Sequence, residues 1–134
     1  MFYFNEGSLD IGEEWQDRSL ILLSHPSNLS ISISREAIPV GMSFSEYTQR
    51  QLTLVSQQLQ DYHEEKRSEI EVDNLLGILS EFTWSSPQGT MYQMSAILNL
   101  PVHPIIITTS ALNPLTEGQR SYLLNLVKSF KARQ

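Results

Sequence analysis

Residues 29–34 read Leu-Ser-Ile-Ser-Ile-Ser, a strict alternation of apolar and polar side chains. Successive side chains of a β-strand point to opposite faces, so this alternation predicts a strand with one face buried. Residues 25–28 contain a proline and an asparagine, which favour a turn, and residues 19–24 form a second strand-like run. These segments predict an antiparallel hairpin.

The remaining elements complete a mixed fold. Each of two helices is predicted to begin at a capping box, Ser43 with Glu46 and Thr116 with Gln119. The apolar face of the first helix extends to Tyr62 and fades in the charged run 63–67. Further strands are predicted at residues 8–11, 69–72, 78–84, 91–98 and 105–109. We therefore expect one α+β domain over residues 1–134, an antiparallel sheet with both helices packed on one face.

Charge and composition exclude several classes of function. The net charge of −6 disfavours nucleic acid as a partner, because an acidic chain repels phosphate backbones. The lack of cysteine removes disulfides, cysteine-bound metals and thiol nucleophiles. No segment approaches the roughly 20 apolar residues of a membrane span, so direct membrane insertion is not expected. The first residues do not form a signal peptide, and with Met1 as the native start we expect a cytoplasmic protein.

Catalytic motifs are missing from the sequence. His25, His63 and His103 are scattered, and no second histidine follows His63 at the spacing of a zinc-binding helix. No Gly-x-Ser-x-Gly elbow is present to activate a serine. We therefore predict no catalytic residue, no metal site, no cofactor and no enzymatic activity. A catalytic pocket assembled from distant residues is the alternative.

Some strands carry more apolar side chains than two helices on one face can cover. In the run 20–23, Leu20 and Leu22 point to one face while Ile21 and Leu23 point to the other. Each exposed side chain of this kind forfeits about 1.5–3 kcal/mol relative to burial. Such patches commonly bind another protein, here an apolar segment. A long loop or a second copy of the chain covering this face is the alternative.

Two glutamines have the chemistry to contact a bound helix. Gln93 stands among apolar neighbours, where its amide offers both a hydrogen-bond donor and an acceptor. Gln58 flanks the apolar face of the first helix. An ordinary surface role is the alternative for Gln58.

The beginning of the chain is similar to a known family. The resemblance rests on Phe44-x-x-Tyr47 at the start of the first helix and on the motif Glu6-Gly7-Ser8-Leu9, Trp15-Gln16-Asp17-Arg18. The chain resembles the DcrB-like domain family, and within it the Eag chaperones of bacterial type VI secretion. This resemblance implies a PsbP/Mog-like fold and a homodimer with a concave apolar sheet surface.

The resemblance also implies a function. Eag chaperones bind the N-terminal region of an effector, often an Rhs toxin, and shield its transmembrane helices until the secretion spike carries it away. Carried over to this chain, Ile21, Leu23, Gln58 and Gln93 would bind the helices of the effector. A direct role at the membrane is not implied, and the spike would be reached through the effector. The alternative is a non-catalytic adaptor of the same fold that contacts a soluble protein.

Overall fold

The computed structural model describes residues 1–15 and 18–133, and for Phe4 only the backbone. Gln16 and Asp17, which belong to the family motif, lie outside the described residues. The elements in chain order are β1 Phe2–Phe4, β2 Gly7–Leu9, β3 Leu20–His25, β4 Leu29–Arg35, α1 Phe44–Gln58, β5 His63–Val72, β6 Leu75–Ser86, β7 Gly89–Leu98, β8 Ile105–Leu112 and α2 Glu117–Lys128.

Six strands form one antiparallel sheet in the order β3-β4-β8-β7-β6-β5. The predicted hairpin β3–β4 is present, and β6 and β7 form a second hairpin. Strand β8 lies between β4 and β7, so it joins the first half of the chain to the second. Strands β1 and β2 pair only with each other, as a separate hairpin. The α+β class and the antiparallel sheet predicted from the sequence are confirmed.

Both helices begin at the predicted residues. Ser43 caps α1, and its Oγ accepts a hydrogen bond of 3.1 Å from the backbone N–H of Glu46. Thr116 and Gln119 form a reciprocal capping box at α2, with bonds of 3.1 Å and 2.9 Å. These bonds satisfy backbone donors that the first turn of a helix leaves free.

The prediction for the end of α1 is wrong. The helix ends at Gln58, and the charged run 63–67 belongs to strand β5, which begins at His63. Tyr62 does not extend the helix; its ring packs against Phe82 with 5.1 Å between the ring centroids. Charged side chains are tolerated in β5 because it is an edge strand, with water beside it.

The expectation that both helices pack on one face of the sheet is also wrong. Helix α2 contributes to the core that contains Ala96 and Leu98, whereas α1 packs on Ile97. Neighbouring residues of a strand point to opposite faces, so the two helices cover opposite faces. The physical reason is that β7 and β8 are apolar on both sides. Ile105 and Ile107 lie in the α2 core, while Ile106 packs against the α1 core.

A buried ion pair fastens α2 to the sheet. Glu81 of β6 is only 3% exposed and accepts two hydrogen bonds from Arg120 of α2, at 2.7 and 2.9 Å. The Tyr92 hydroxyl donates a further hydrogen bond to the same carboxylate. Burial by itself raises the pKa of Glu81, but the bonds from Arg120 and Tyr92 hold this pKa below its usual value.

Replacing Arg120 tests how much this pair stabilises the fold. Arg120→Met should lower the free energy of unfolding by about 3 kcal/mol, because it leaves the Glu81 carboxylate buried without its cation. Urea unfolding at pH 7 measures the change. Arg50→Met is the matched control, since Arg50 is an exposed cation of α1, and it should change stability by less than about 0.5 kcal/mol.

The same pair should make stability depend on pH. The pKa of Glu81 is lower in the folded chain, so its contribution is present above the pKa of the unfolded chain and is lost as the pH falls through the folded pKa. We expect the free energy of unfolding to fall below about pH 5. The fall should be shallower in Glu81→Gln than in the unmodified chain. Equal slopes in acid titrations of the two proteins would contradict this assignment.

Candidate protein-binding surface

Part of the face that α1 occupies is left uncovered. Residues paired directly across strands point to the same face, and Leu22, Ser32, Thr108 and Ser95 form such a row across β3, β4, β8 and β7. We call the uncovered surface the open face and define it by its residues: Leu20, Leu22, Ser30, Ser32, Met91, Gln93, Ser95, Thr108 and Leu112.

The position of α1 explains why this surface stays open. Gln49 of α1 accepts a hydrogen bond of 3.3 Å from Arg67 of β5, at the far edge of the sheet. Helix α1 also packs on Ile78 of β6 and Ile97 of β7. These contacts hold α1 over β5, β6 and the end of β7. The described residues of β3 and β4 have no helix above them on this face.

The centre of the open face is polar and internally hydrogen-bonded. The hydroxyls of Ser95 and Thr108 lie 2.8 Å apart. The Gln93 amide donates to the Ser110 hydroxyl at 2.9 Å and accepts from the Trp84 indole N–H at 3.1 Å. An amide group has two donor hydrogens and an oxygen with two lone pairs. Gln93 is therefore held in a fixed position while one donor and one acceptor site are left for a partner.

The margins of the open face are apolar. Leu20 and Leu22 of the edge strand are 59% and 64% exposed, and Leu112 is 43% exposed. At the other end, a depression of about 320 Å³ lies among Ser30, Met91 and Leu112. A polar centre with apolar margins suits a guest that is largely apolar and carries a few polar groups.

Ile21 and Leu23 lie on the other side of β3. Leu23 pairs with Ile31 and Ile21 with Ile33, which face α2. Ile21 borders a cleft with Phe130, and Leu23 borders one with Tyr122. The structure thus brings Gln93 together with Leu20 and Leu22, but not with Ile21 and Leu23. Guest binding by Ile21 and Leu23 stays a prediction, and the open face does not contain them.

Gln58 is exposed and is the last residue of α1. Two residues later, the carbonyl of Gln60 accepts a hydrogen bond of 2.8 Å from the backbone N–H of Ser85. Gln58 therefore lies near the end of β6 that carries Trp84.

Sequence reasoning did not single out Leu20 and Leu22, which belong to the open face. The signal was present in the hairpin, because Ile31 and Ile33 had to face the core. To assign the faces of β3 from this signal, the pairing register of β3 with β4 must be known. That register depends on the number of residues in the turn.

Two further features were looked for in residues 1–15 and 18–133. These residues contain no group of three or more histidines, aspartates or glutamates placed to hold a metal ion. Over the same ranges, none of the helices is long and apolar enough to cross a membrane.

The same fold occurs in a solved structure. The chain aligns with the crystal structure of a protein of unknown function, PA94 from Pseudomonas aeruginosa, with a TM-score of 0.76 and 21% identity. The alignment covers 99% of this chain and 96% of that protein. The fold is therefore that of an established class of α+β domain.

Comparison of sequences gives the family. The family model named DcrB matches residues 6–129, so the chain belongs to the DcrB family. It is also 27% identical over 120 residues to the protein named Effector EagT6 from Pseudomonas aeruginosa strain PAO1. That similarity covers 85% of this chain and 82% of the relative. The family resemblance predicted from the sequence is thus confirmed.

Proposed function

We propose that this protein is a cytoplasmic chaperone of a type VI secretion effector that holds apolar helices of the effector on its open face. Membership of the DcrB family and similarity to EagT6 support the assignment to type VI secretion. The observation that carries the proposal is the open face, a sheet surface with exposed leucines and an anchored glutamine that no helix of the described chain covers.

The dimensions of the open face fit a helix. Strands lie about 4.8 Å apart, so β3, β4 and β8 together span about 14 Å. An α-helix with its side chains is about 10–12 Å across. One guest helix therefore fits beside α1, which would form one wall of the groove.

The surface chemistry explains how such a guest is held. A transmembrane helix satisfies its own backbone hydrogen bonds, so its cost in water comes from its apolar side chains. Leu20, Leu22 and Met91 would remove part of this surface from water. The serines of β4 have small side chains, which let the backbones of guest and sheet approach closely. Gln93 would bond a polar group of the guest with its free donor and acceptor.

The guest is proposed to be an apolar region near the N-terminus of an Rhs-type effector, released when the effector joins the secretion spike. The chaperone is proposed to act as a homodimer. Gln58 would contact the guest at the Trp84 end of the groove. Ile21 and Leu23 would support the same groove from the α2 side of β3.

An acidic substitution on the open face should abolish binding. We expect Leu22→Asp to weaken the complex with the N-terminal fragment of the effector by roughly a hundredfold, because a carboxylate would be buried against an apolar helix. Co-purification and titration calorimetry measure the loss. Leu76→Asp is the matched control, since Leu76 is a 68% exposed leucine beside Phe44 and Glu69, on the other side of α1.

Full binding by Leu22→Asp would show that the open face is not the guest site. Deleting only the apolar segments of the effector fragment gives the complementary test. A complex that survives this deletion would support an adaptor that recognises a soluble part of its partner.

The size of the β4 serines should matter more than their hydroxyls. Ser32→Trp should lower the affinity for the effector fragment roughly tenfold, because its bulk holds the guest away from the sheet. Ser32→Ala should leave the affinity within about twofold. Unfolding midpoints of both variants verify that the fold is unchanged. The reverse order of effects would mean that the hydroxyl itself recognises the guest.

A further inference from the structure

A cleft lined by cations lies on the α2 side of the sheet. It has a volume of about 350 Å³ and forms where the end of β4 and the start of β8 meet the chain segment that follows α2. Three of the nine lysines and arginines of the chain line it, although the net charge of the chain is −6. We call it the cationic cleft and define it by the charged residues Arg35, Lys131 and Arg133 and the apolar residues Ile21, Ile33 and Phe130.

The cations of the cleft are not neutralised by carboxylates of the described chain. Arg67 and Arg120, by contrast, are each paired with a glutamate, at 2.9 and 2.7 Å. None of the salt bridges within residues 1–15 and 18–133 involves Arg35, Lys131 or Arg133. The charge of these three side chains is therefore available to a ligand that carries carboxylates.

Two carboxylates lie beside these cations, and each has a different partner. Glu36 follows Arg35 in the chain but points to the α1 side, where it accepts a hydrogen bond of 3.0 Å from the Ser34 hydroxyl. Asp73 accepts a hydrogen bond of 2.7 Å from the backbone N–H of Ala132, which lies between the other two cations. This bond holds the end of the chain against the turn between β5 and β6, so both of its cations line the cleft.

The floor of the cationic cleft is apolar. Ile33 and Phe130 are half-buried and pack against the core beneath α2. Ile21 lies on the edge strand of the sheet and is 42% exposed. A cavity with an apolar floor and a few charged groups at its margin suits a ligand that carries both kinds of group.

We propose that the cationic cleft binds an acidic segment of a partner protein that also carries an aliphatic or aromatic side chain. The apolar side chain lies on Ile21, Ile33 and Phe130, and the carboxylates beside it pair with the cations. The volume of the cleft is at the lower end of the roughly 300–1,000 Å³ typical of ligand pockets, so it admits one or two side chains. The cleft is on the α2 side, opposite the open face, so this binding does not depend on the proposed function.

A protein segment fits this cleft better than an anionic bilayer or free phosphate. A bilayer surface does not reach into a cleft, and the net charge of −6 opposes its weak attraction to three cations. Phosphate would leave the apolar floor in water. Because exposed ion pairs contribute little singly, binding here needs several carboxylates and an apolar contact acting together.

An array of synthetic peptides tests the class of ligand. Peptides of about eight residues in extended conformation are long enough to cross the cleft. They would contain glutamate together with leucine or phenylalanine, either kind of residue alone, or lysine in place of glutamate. The labelled full chain should bind only the peptides that combine glutamate with an apolar residue. Equal binding to the lysine peptides, or no binding to the acidic apolar ones, would overturn the proposal.

Removing the cations tests the site. In fluorescence anisotropy with the best peptide of the array, the triple variant Arg35→Gln, Lys131→Gln, Arg133→Gln should raise the dissociation constant roughly tenfold, because three exposed charge contacts are lost. Raising NaCl from about 0.05 M to about 0.5 M should weaken peptide binding more in the unmodified chain than in this variant, since salt screens exposed charges.

A second triple variant is the matched control. Arg50→Gln, Lys66→Gln and Lys128→Gln remove the same charge from exposed positions that do not line the cleft. They should change the dissociation constant by less than about twofold, because charges distant from the ligand are screened. An equal loss in both triple variants would mean that only the net charge matters, and the cleft would not be the site. Circular dichroism establishes that each variant is folded.

One substitution tests the apolar floor. Ile21→Glu should weaken peptide binding roughly tenfold, because it removes an apolar contact and adds a charge that repels the acidic peptide. Leu54→Glu is the control, since Leu54 is a comparably exposed residue of α1, at 38%, and this variant should bind the peptide normally. Unchanged binding by Ile21→Glu would show that the peptide does not enter the cleft.

Two other anionic ligands are compared with the peptide at equal ionic strength. Inorganic phosphate and vesicles of phosphatidylserine and phosphatidylcholine should not displace the peptide from the unmodified chain. Displacement by phosphate would indicate a simple anion site, and displacement by vesicles would indicate a membrane surface. Either result would overturn the assignment to a protein segment.

Discussion

The pairing of β8 between β4 and β7 determines most of this molecule. It places residues from the two halves of the chain in neighbouring strands and makes one sheet wide enough to require cover on both faces. The chain supplies one helix for each face. Because α1 lies over the β5 and β6 side, the surface above β3 and β4 has no helix over it. The open face is thus a consequence of a six-stranded sheet with a single helix on that side.

Local elements of the fold were predictable because their signals lie within a few residues. The capping residues Ser43 and Thr116 marked both helix starts, and alternation in residues 29–34 marked β4. The placement of the helices was not predictable in this way. It depends on which strands neighbour each other, and the pairing of β4 with β8 joins residues at least 70 positions apart. The charged run 63–67 was assigned to the end of the first helix for a related reason. Its charges reflect the edge position of β5, which only the complete sheet defines.

The candidate site was predicted in part. Gln93 and the exposed aliphatic run were identified, but Ile21 and Leu23 were chosen where the open face contains Leu20 and Leu22. One residue of turn length decides between these pairs. Pro26, Ser27 and Asn28 separate the paired residues His25 and Leu29, and Asn28 takes a left-handed conformation with φ 63°. A turn one residue longer would reverse the faces of β3.

A polar centre is useful on a surface proposed to hold membrane helices. A sheet lined only with leucine would bind such a helix tightly, but without a guest it would associate with any apolar surface. Here Ser95, Thr108 and Gln93 form hydrogen bonds with each other or with their neighbours. Without a guest, the polar groups of the open face therefore have partners within the protein or in water. Apolar burial is then confined to the margins, so we expect the proposed binding of a helix to be of moderate affinity. Moderate affinity suits a chaperone, which must release its guest when a partner offers that guest a better environment.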